Sequence, residues 1–312
     1  MGAAYCTLDD VKSSLSGDVP NMGTSHDQSL VNKIVEISSS LDHKVTLKRG
    51  DPEGSFSFLA EQPYARQRVY LSSTPRPTSG SFVLALDGVI TNPILFDATG
   101  ADVQTELENL SNVGAGNVTV SGFQGGPWTV DFAGTLVGPR STIEGQSSTD
   151  VTSGAVVVLP MWDGVAETYS ERYFHPTPDL YGELLKIDDC VEVRDVLTYN
   201  SNGDLVATLF APADYRTYPE NGVPIQALRS IVNPWPQLPG RIGVKARWGR
   251  SLTISPDVRE GVEIEVIRAH LSSLAGNDDR LGVSPLGKVM TAKAWTSKFY
   301  ELCDRYGYSK LW

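Results

Sequence analysis

No run of this chain approaches the ~20 consecutive apolar residues that a membrane-spanning helix needs. The opening MGAAYCTLDD also lacks the basic and apolar regions of a secretory leader, so a secreted or membrane-bound product is not expected. Cysteine is scarce. Cys6, Cys190 and Cys303 are odd in number and far apart, which matches neither a disulfide framework nor a zinc spacing. His26, His43, His175 and His270 show no HxxxH, HExxH or HxH arrangement, so no metal is expected. GxSxG, P-loop and Rossmann fingerprints are missing, and Gly114-Ala115-Gly116 lacks a third glycine. The carboxylate pairs Asp9-Asp10 and Asp188-Asp189 are adjacent in sequence. Such neighbours point to opposite faces of a strand, or ~100° apart on a helix, and make no acid/base dyad by themselves. The chain therefore reads as a non-enzyme with no cofactor.

Positive charge is the other conspicuous shortage. Residues 79–158 contain no lysine and one base, Arg140, against eight acids, whereas 1–78 carries 8 bases and 9 acids and 159–312 carries 17 and 20. Most of the net charge of −11 thus sits in the middle segment. Nucleic-acid affinity rests on Lys and Arg displacing counterions, so that segment is not a phosphate-binding surface.

What is present organises the chain. Thr7-Leu8-Asp9-Asp10 resembles a capping box with Cys6 and Val11 as its staple and Gly17 as a stop. Ser25-His26-Asp27-Gln28 repeats the device ahead of Leu30, Ile34, Ile37 and Leu41 at helical spacing. The pattern loosens from Thr46, and STPRPTSG (73–80) reads as a linker. Residues 79–158 then behave as a module: a hairpin from FVLAL (82–86) and ITNPILF (90–96), a helix over 97–110, and a second hairpin from 117–123 and 128–134. This predicts a ββαββ unit, with SSTDVTSGAVVVL adding a strand. Asn202-Gly203 marks another hairpin, inside LLKIDDCVEVRDVLTYNSNGDLVATLF.

Near the end, a strand turns through Trp248-Gly249 into a helix over 256–275, with Ser255 as N-cap, Pro256 at N1 and Asp257 in the first turn. Val258, Val262, Val266 and Ala269 form one apolar stripe of this helix; Ile264, Ile267, Leu271 and Leu274 form another. Two stripes exceed what one small core needs, which predicts a subunit interface. Arg241, Lys245, Arg247, Arg250 and Arg259 cluster around Trp248. Intersubunit salt bridges and DNA phosphates are both candidate partners of this cluster. A last helix carries Val289, Ala292, Trp295, Phe299, Leu302 and Tyr306 on one face.

The ordered set YCTLDDVKSSLSG, ERYF, LKIDDCVEVRDV, DYRTYP-to-IQAL and VKARWGRSLTISPDVREGVEIEV resembles the adaptor proteins of tailed-phage head–tail connectors, over most of 5–45 and 169–275. The 79–158 insert resembles a β-rich module found in structural proteins of phages infecting actinobacteria. The resemblance implies an α+β protein, a small helical bundle with a β-hairpin or long loop interrupted by the ββαββ module. Its parts would be 1–78, 79–158, 159–285 and 286–312. It also implies a virion neck protein made in the host cytoplasm, a homo-oligomeric ring of about twelve copies beneath the portal protein. Genomic DNA would pass through its lumen without sequence-specific binding, a stopper or tail-terminator protein would dock on it, and no membrane would be involved. Trp295, Phe299, Tyr300, Tyr306, Tyr308 and Trp312 would anchor the portal. Lys245, Arg247, Arg250, Val258, Val262, Ile264, Ile267 and Leu271 would lie between subunits, and Asn202, Gly203, Tyr215 and Tyr218 would face the next ring or the lumen. A stopper or tail-completion ring, or a host-surface-binding accessory protein acting through 79–158, are the alternatives.

Overall fold

A computed structural model describes residues 3–15, 26–49, 56–72, 79–147, 155–176, 183–231, 234–235, 242–274 and 296–307. The chain forms two compact units, one from Met1–Leu41, Gln62–Ala166 and Ser255–Trp312, the other from Asp42–Glu61 and Glu167–Ile254.

The first unit opens with α1 (Leu8–Leu15). Its capping box forms as expected: the Asp10 carboxylate accepts from the Thr7 N–H at 2.8 Å, and the Asp10 N–H donates to the Thr7 hydroxyl at 3.2 Å. Cys6 and Val11 are both buried. The second helix, α2 (Asp27–Arg49), continues past the expected apolar stripe, with its residues up to Leu41 in the first unit and those from Asp42 in the second, and its capping Ser25 lies outside the described residues. Lys48 and Arg49 occupy the last turn, where the helix dipole favours cations.

The strands β1 (Arg66–Ser72), β2 (Ser81–Leu86), β3 (Val89–Ile90) and β4 (Ile94–Leu95) follow. Asp87 and Gly88 both take positive φ, 49° and 81°, at the tight turn between β2 and β3. One strand was expected over 90–96. It is split instead, with Asn92-Pro93 between β3 and β4, because proline cannot donate to a ladder. Then come α3 (Gly100–Glu108), β5 (Val118–Gly122), β6 (Trp128–Phe132), β7 (Glu144–Ser147) and β8 (Ala155–Trp162). Thr99 and Asp102 form a reciprocal capping box on α3.

These strands make two four-stranded antiparallel sheets, one in the order β5-β6-β1-β8, the other made by β2 with β3, β4 and β7. The two hairpins of the expected ββαββ unit therefore enter different sheets. One core joins Phe82, Leu84, Val103, Leu107, Trp128 and Val130 to Val69 and Val158.

The second unit is a six-stranded antiparallel sheet of β9 (Ser170–Phe174), β10 (Leu184–Tyr199), β11 (Leu205–Leu209), β12 (Tyr215–Tyr218), β13 (Ile225–Ser230) and β14 (Ile242–Trp248). The hairpin at Asn202-Gly203 joins β10 to β11, with Gly203 at φ 89° and the Asn200 side chain accepting from the Asn202 and Asp204 N–H groups. Back in the first unit, α4 (Pro256–Leu274) and α5 (Ser297–Gly307) complete the chain.

The expectation of a small helical bundle is thus overturned. Three antiparallel sheets dominate the protein and five helices accompany them among the described residues. The physical reason lies in runs such as VVVL, LKIDDCVEV and IGVKARW. Their β-branched residues suit the pleated surface, and each run pairs with sequence-distant partners that no local pattern reveals.

The second unit is tied together by one carboxylate. Asp189, 5% exposed, accepts a bidentate pair from Arg49 at 3.0 Å and 3.0 Å, a bond from Arg250 at 2.8 Å and one from Gln226 at 3.0 Å. Asp189→Ala should destabilise the protein by about 3–5 kcal/mol, because it removes the buried carboxylate that two guanidinium groups share. Urea unfolding of that variant beside wild type checks the figure.

Candidate interaction surfaces

The α4 helix is the best defined of the surfaces. Val258, Val262 and Val266 are fully buried, so the first apolar stripe faces its own unit. A third face receives α5. A Cβ at Gly261 would collide with the Leu302 side chain, so glycine sets the closeness of approach. Glu265, with no exposed surface, accepts from Arg268 at 2.7 Å and from the Thr296 N–H at 2.9 Å. The Thr296 hydroxyl in turn accepts from the Phe299 N–H at 3.3 Å, which caps α5. Lys298 with Glu260 and Arg305 with Asp257 fix its two ends.

The second stripe is much more open. Ile264 and Leu274 are exposed, and Ile267 and Leu271 are half-buried. Of the C-terminal aromatic residues, Phe299 is buried within the α4–α5 contact, Tyr300 is exposed, and Tyr306 donates its hydroxyl to Asp257 at 2.9 Å. Trp295, Tyr308 and Trp312 lie outside the described residues.

Arg247 and Arg250 have partners within the second unit, and Lys245 is placed beside acids on both neighbouring strands. Lys245 sits opposite Asp195 on β10 and Glu171 on β9, Arg247 donates to the Glu61 carbonyl at 2.7 Å, and Arg250 reaches Asp189. Gly249, at φ 117°, brings the chain so close that a Cβ would lie 2.6 Å from the Leu59 carbonyl oxygen. Asn202 and Gly203 are exposed at the hairpin tip, Tyr215 is buried in the sheet core, and Tyr218 is exposed. The ion cluster around Asp189 is what reading the sequence missed. The adjacent pair signals only that Asp188 and Asp189 face opposite sides of β10, and Asp188 duly pairs with Arg172 instead.

Two polar features of the first unit complete the survey. A cleft of about 300 Å³ is lined by Leu8, Asp9, Lys12, Asp27, Tyr70, Leu71 and the Gly125-Gly126-Pro127 turn. Within it Lys12 reaches the buried Asp27 at 2.6 Å, so its opposing charges are largely spent on each other. Among the described residues no three of His, Cys, Asp and Glu converge on a metal position. His270 on α4 is 1% exposed, stands edge-on to His26 with ring centroids 5.2 Å apart, and has neither ring nitrogen hydrogen-bonded. Burial, then the nearby His26 and Lys33, lower its pKa. Deep burial likewise pushes the Cys190 thiol up to about 12, leaving it unreactive.

No protein-family model matches the chain. Over 80 residues, 26% of this chain and 14% of the relative, it is 41% identical to the tail sheath protein of Mycobacterium phage Bxz1. The chain thus spans a small fraction of that relative's length. A solved structure from Mycobacterium phage Patience aligns with 55% of this chain and 55% of its own at 14% identity and a TM-score of 0.25, too loose to carry an argument. The sequence relationship is to a phage structural protein and does not reach the head–tail connector family.

The buried histidine has a pH consequence. His270 is held neutral in the folded state below its usual range and is free to protonate once unfolded, so stability is complete above pH ~6.5 and falls as pH drops from there toward the lowered native value. The loss approaches about 1.4 kcal/mol per pH unit within that window. Denaturant unfolding at pH 7.5 and 5.5 should show the loss, and His270→Leu should remove His270's share of the slope.

Proposed function

We propose that this chain is a structural protein of a tailed-phage virion and, more finely, the adaptor ring of the head–tail connector. The observation that carries the coarser reading is the 80-residue relationship to a phage tail sheath protein. That length is about the size of the acidic 79–158 module, which is the part of the chain resembling modules of actinobacterial phage proteins. The finer reading rests on the order of the connector-like motifs. It draws support from α4, whose Val258, Val262 and Val266 stripe is satisfied internally while its Ile264, Ile267 and Leu271 stripe remains available to a neighbouring copy.

In this reading about twelve copies form a ring under the portal. The ring extends the channel for genomic DNA and offers a docking surface to a stopper or tail-terminator protein. The acidic module repels phosphate and so decorates the outside. Tyr300, with Trp295, Tyr308 and Trp312 beyond the described residues, reaches the portal, while Phe299 and Tyr306 hold α5 in place. No catalysis is assigned. A second reading, a stopper or tail-completion ring, is favoured by one observation, that the named relative belongs to the tail.

Electron microscopy of the purified chain mixed with the portal ring of the same genome tests this. A stacked ring is expected, and it should be lost on deleting 286–312. Because that deletion removes α5 and its packing on α4, Tyr300→Ala/Trp312→Ala is examined beside it and should weaken portal binding by roughly tenfold or more if these are interface anchors. A folded monomer with no density on the portal would refute the adaptor role.

A further inference from the structure

Besides β12, which pairs only with β13, the sheet of the second unit has two strands paired on one side only among the described residues. Among the described residues β11 pairs only with β10, and β9 pairs only with β14. The ladder registers put both edges on the same rows. Ala207, Thr198, Ile242 and Phe174 share one row, Thr208, Leu197, Gly243 and Tyr173 the next, and Leu209, Val196, Val244 and Arg172 a third. At this level the sheet is four strands wide, and its two outer strands are five residues each.

A free edge presents unpaired N–H and C=O groups, and proteins that stay monomeric blunt it with lysine, proline or inward-pointing charge. The β11 edge, LVATL, has none of these. Leu205, Val206 and the following Phe210 are 56%, 64% and 65% exposed. On β9, Tyr173 is 59% exposed, while the charges of its neighbours are occupied inside the unit. Glu171 accepts the Tyr199 hydroxyl at 2.6 Å, and Arg172 pairs with Asp188 and Glu61. The LVATL strand carries no charge of its own, so laid against β9 it sets no like charge opposite Glu171 or Arg172.

We propose that β11 of one copy pairs with β9 of a second copy, so that the sheet continues head to tail from subunit to subunit. The two edges differ, which makes the contact heterologous, and such contacts either close into rings or run on as helical filaments. Because both edges occupy the same rows, joining them in register adds no step along the strand direction, which favours closure. The inference deepens the ring reading above and rests on it for the several copies that must meet.

Disulfide trapping tests the pairing. The full chain carrying Tyr173→Cys/Thr208→Cys, and each single variant, would be oxidised alone and in mixture with the portal ring, then run on non-reducing gels. The native Cys6, Cys190 and Cys303 are buried and leave the background quiet. A ladder of dimers, trimers and larger species from the double variant alone is expected, with circular dichroism matching wild type. Val206→Lys, at an exposed position, should abolish ring formation without changing the dichroism. Absence of a ladder from a natively folded double variant would overturn the proposal, as would dimers from Thr208→Cys alone, which would place β11 against β11. Micrographs of the same mixtures separate the two readings. A ring on the portal without a ladder sinks the edge pairing and keeps the adaptor, whereas a ladder without portal binding keeps the pairing and removes the adaptor.

Discussion

Asp189 places a charge where water scarcely reaches, and the second unit is arranged around neutralising it. Its carboxylate takes both amino groups of Arg49 from the end of α2, one from Arg250 beyond β14, and the Gln226 amide from β13. Three separate stretches of chain are thereby fixed to one residue of β10. The Arg49 guanidinium also lies 4.4 Å from the centre of the Phe56 ring, which covers it. Such a cluster adds little net stability over an apolar core, but its carboxylate is shared by all three partners, so it selects one arrangement against its competitors. Gly249 belongs to the same constraint. The chain can pass Leu59 and Ala60 only without a side chain, and its N–H bonds to the Asp189 carbonyl at 2.8 Å.

The first unit uses a related device at α4. Glu265 is buried, yet each of its acceptor needs is met by a specific donor, Arg268 on its own helix and the first N–H of the α5 cap. A buried acid thus determines where the next helix begins, and Gly261 determines how near it comes. With two faces of α4 consumed inside the unit, the Ile264, Ile267 and Leu271 stripe is left over. That surplus, together with the sheet edges at β9 and β11, is what the proposed assembly of repeated subunits rests on.

How much was legible in the sequence follows the range of the interactions. The α1 capping box, the turn at Asp87-Gly88, the hairpin at Asn202-Gly203 and the Ser-Pro start of α4 depend on residues within a few positions of one another, and all stand where their motifs placed them. The candidate surfaces were partly legible for the same reason. The valine stripe of α4 follows helical spacing, whereas the burial of Phe299 and Tyr215 depends on which elements come to cover them. Asp189 was the instructive miss. Its three partners come from positions 49, 226 and 250 and were invisible to any local pattern.

By itself, then, the sequence determined the locations of helix starts, tight turns and apolar strands, the acidic and lysine-free character of 79–158, and the lack of any recognisable catalytic or metal motif. These are consequences of side-chain chemistry acting over one or two turns of chain. Tertiary structure alone decided that the hairpins of the acidic segment divide between two sheets, that sheets rather than a helical bundle dominate, and that β9 and β11 lie level as edges of their sheet among the described residues. Strand pairing joins residues far apart in sequence, and the choice among possible partners rests on the summed burial and hydrogen bonding of the whole sheet, which no short segment encodes.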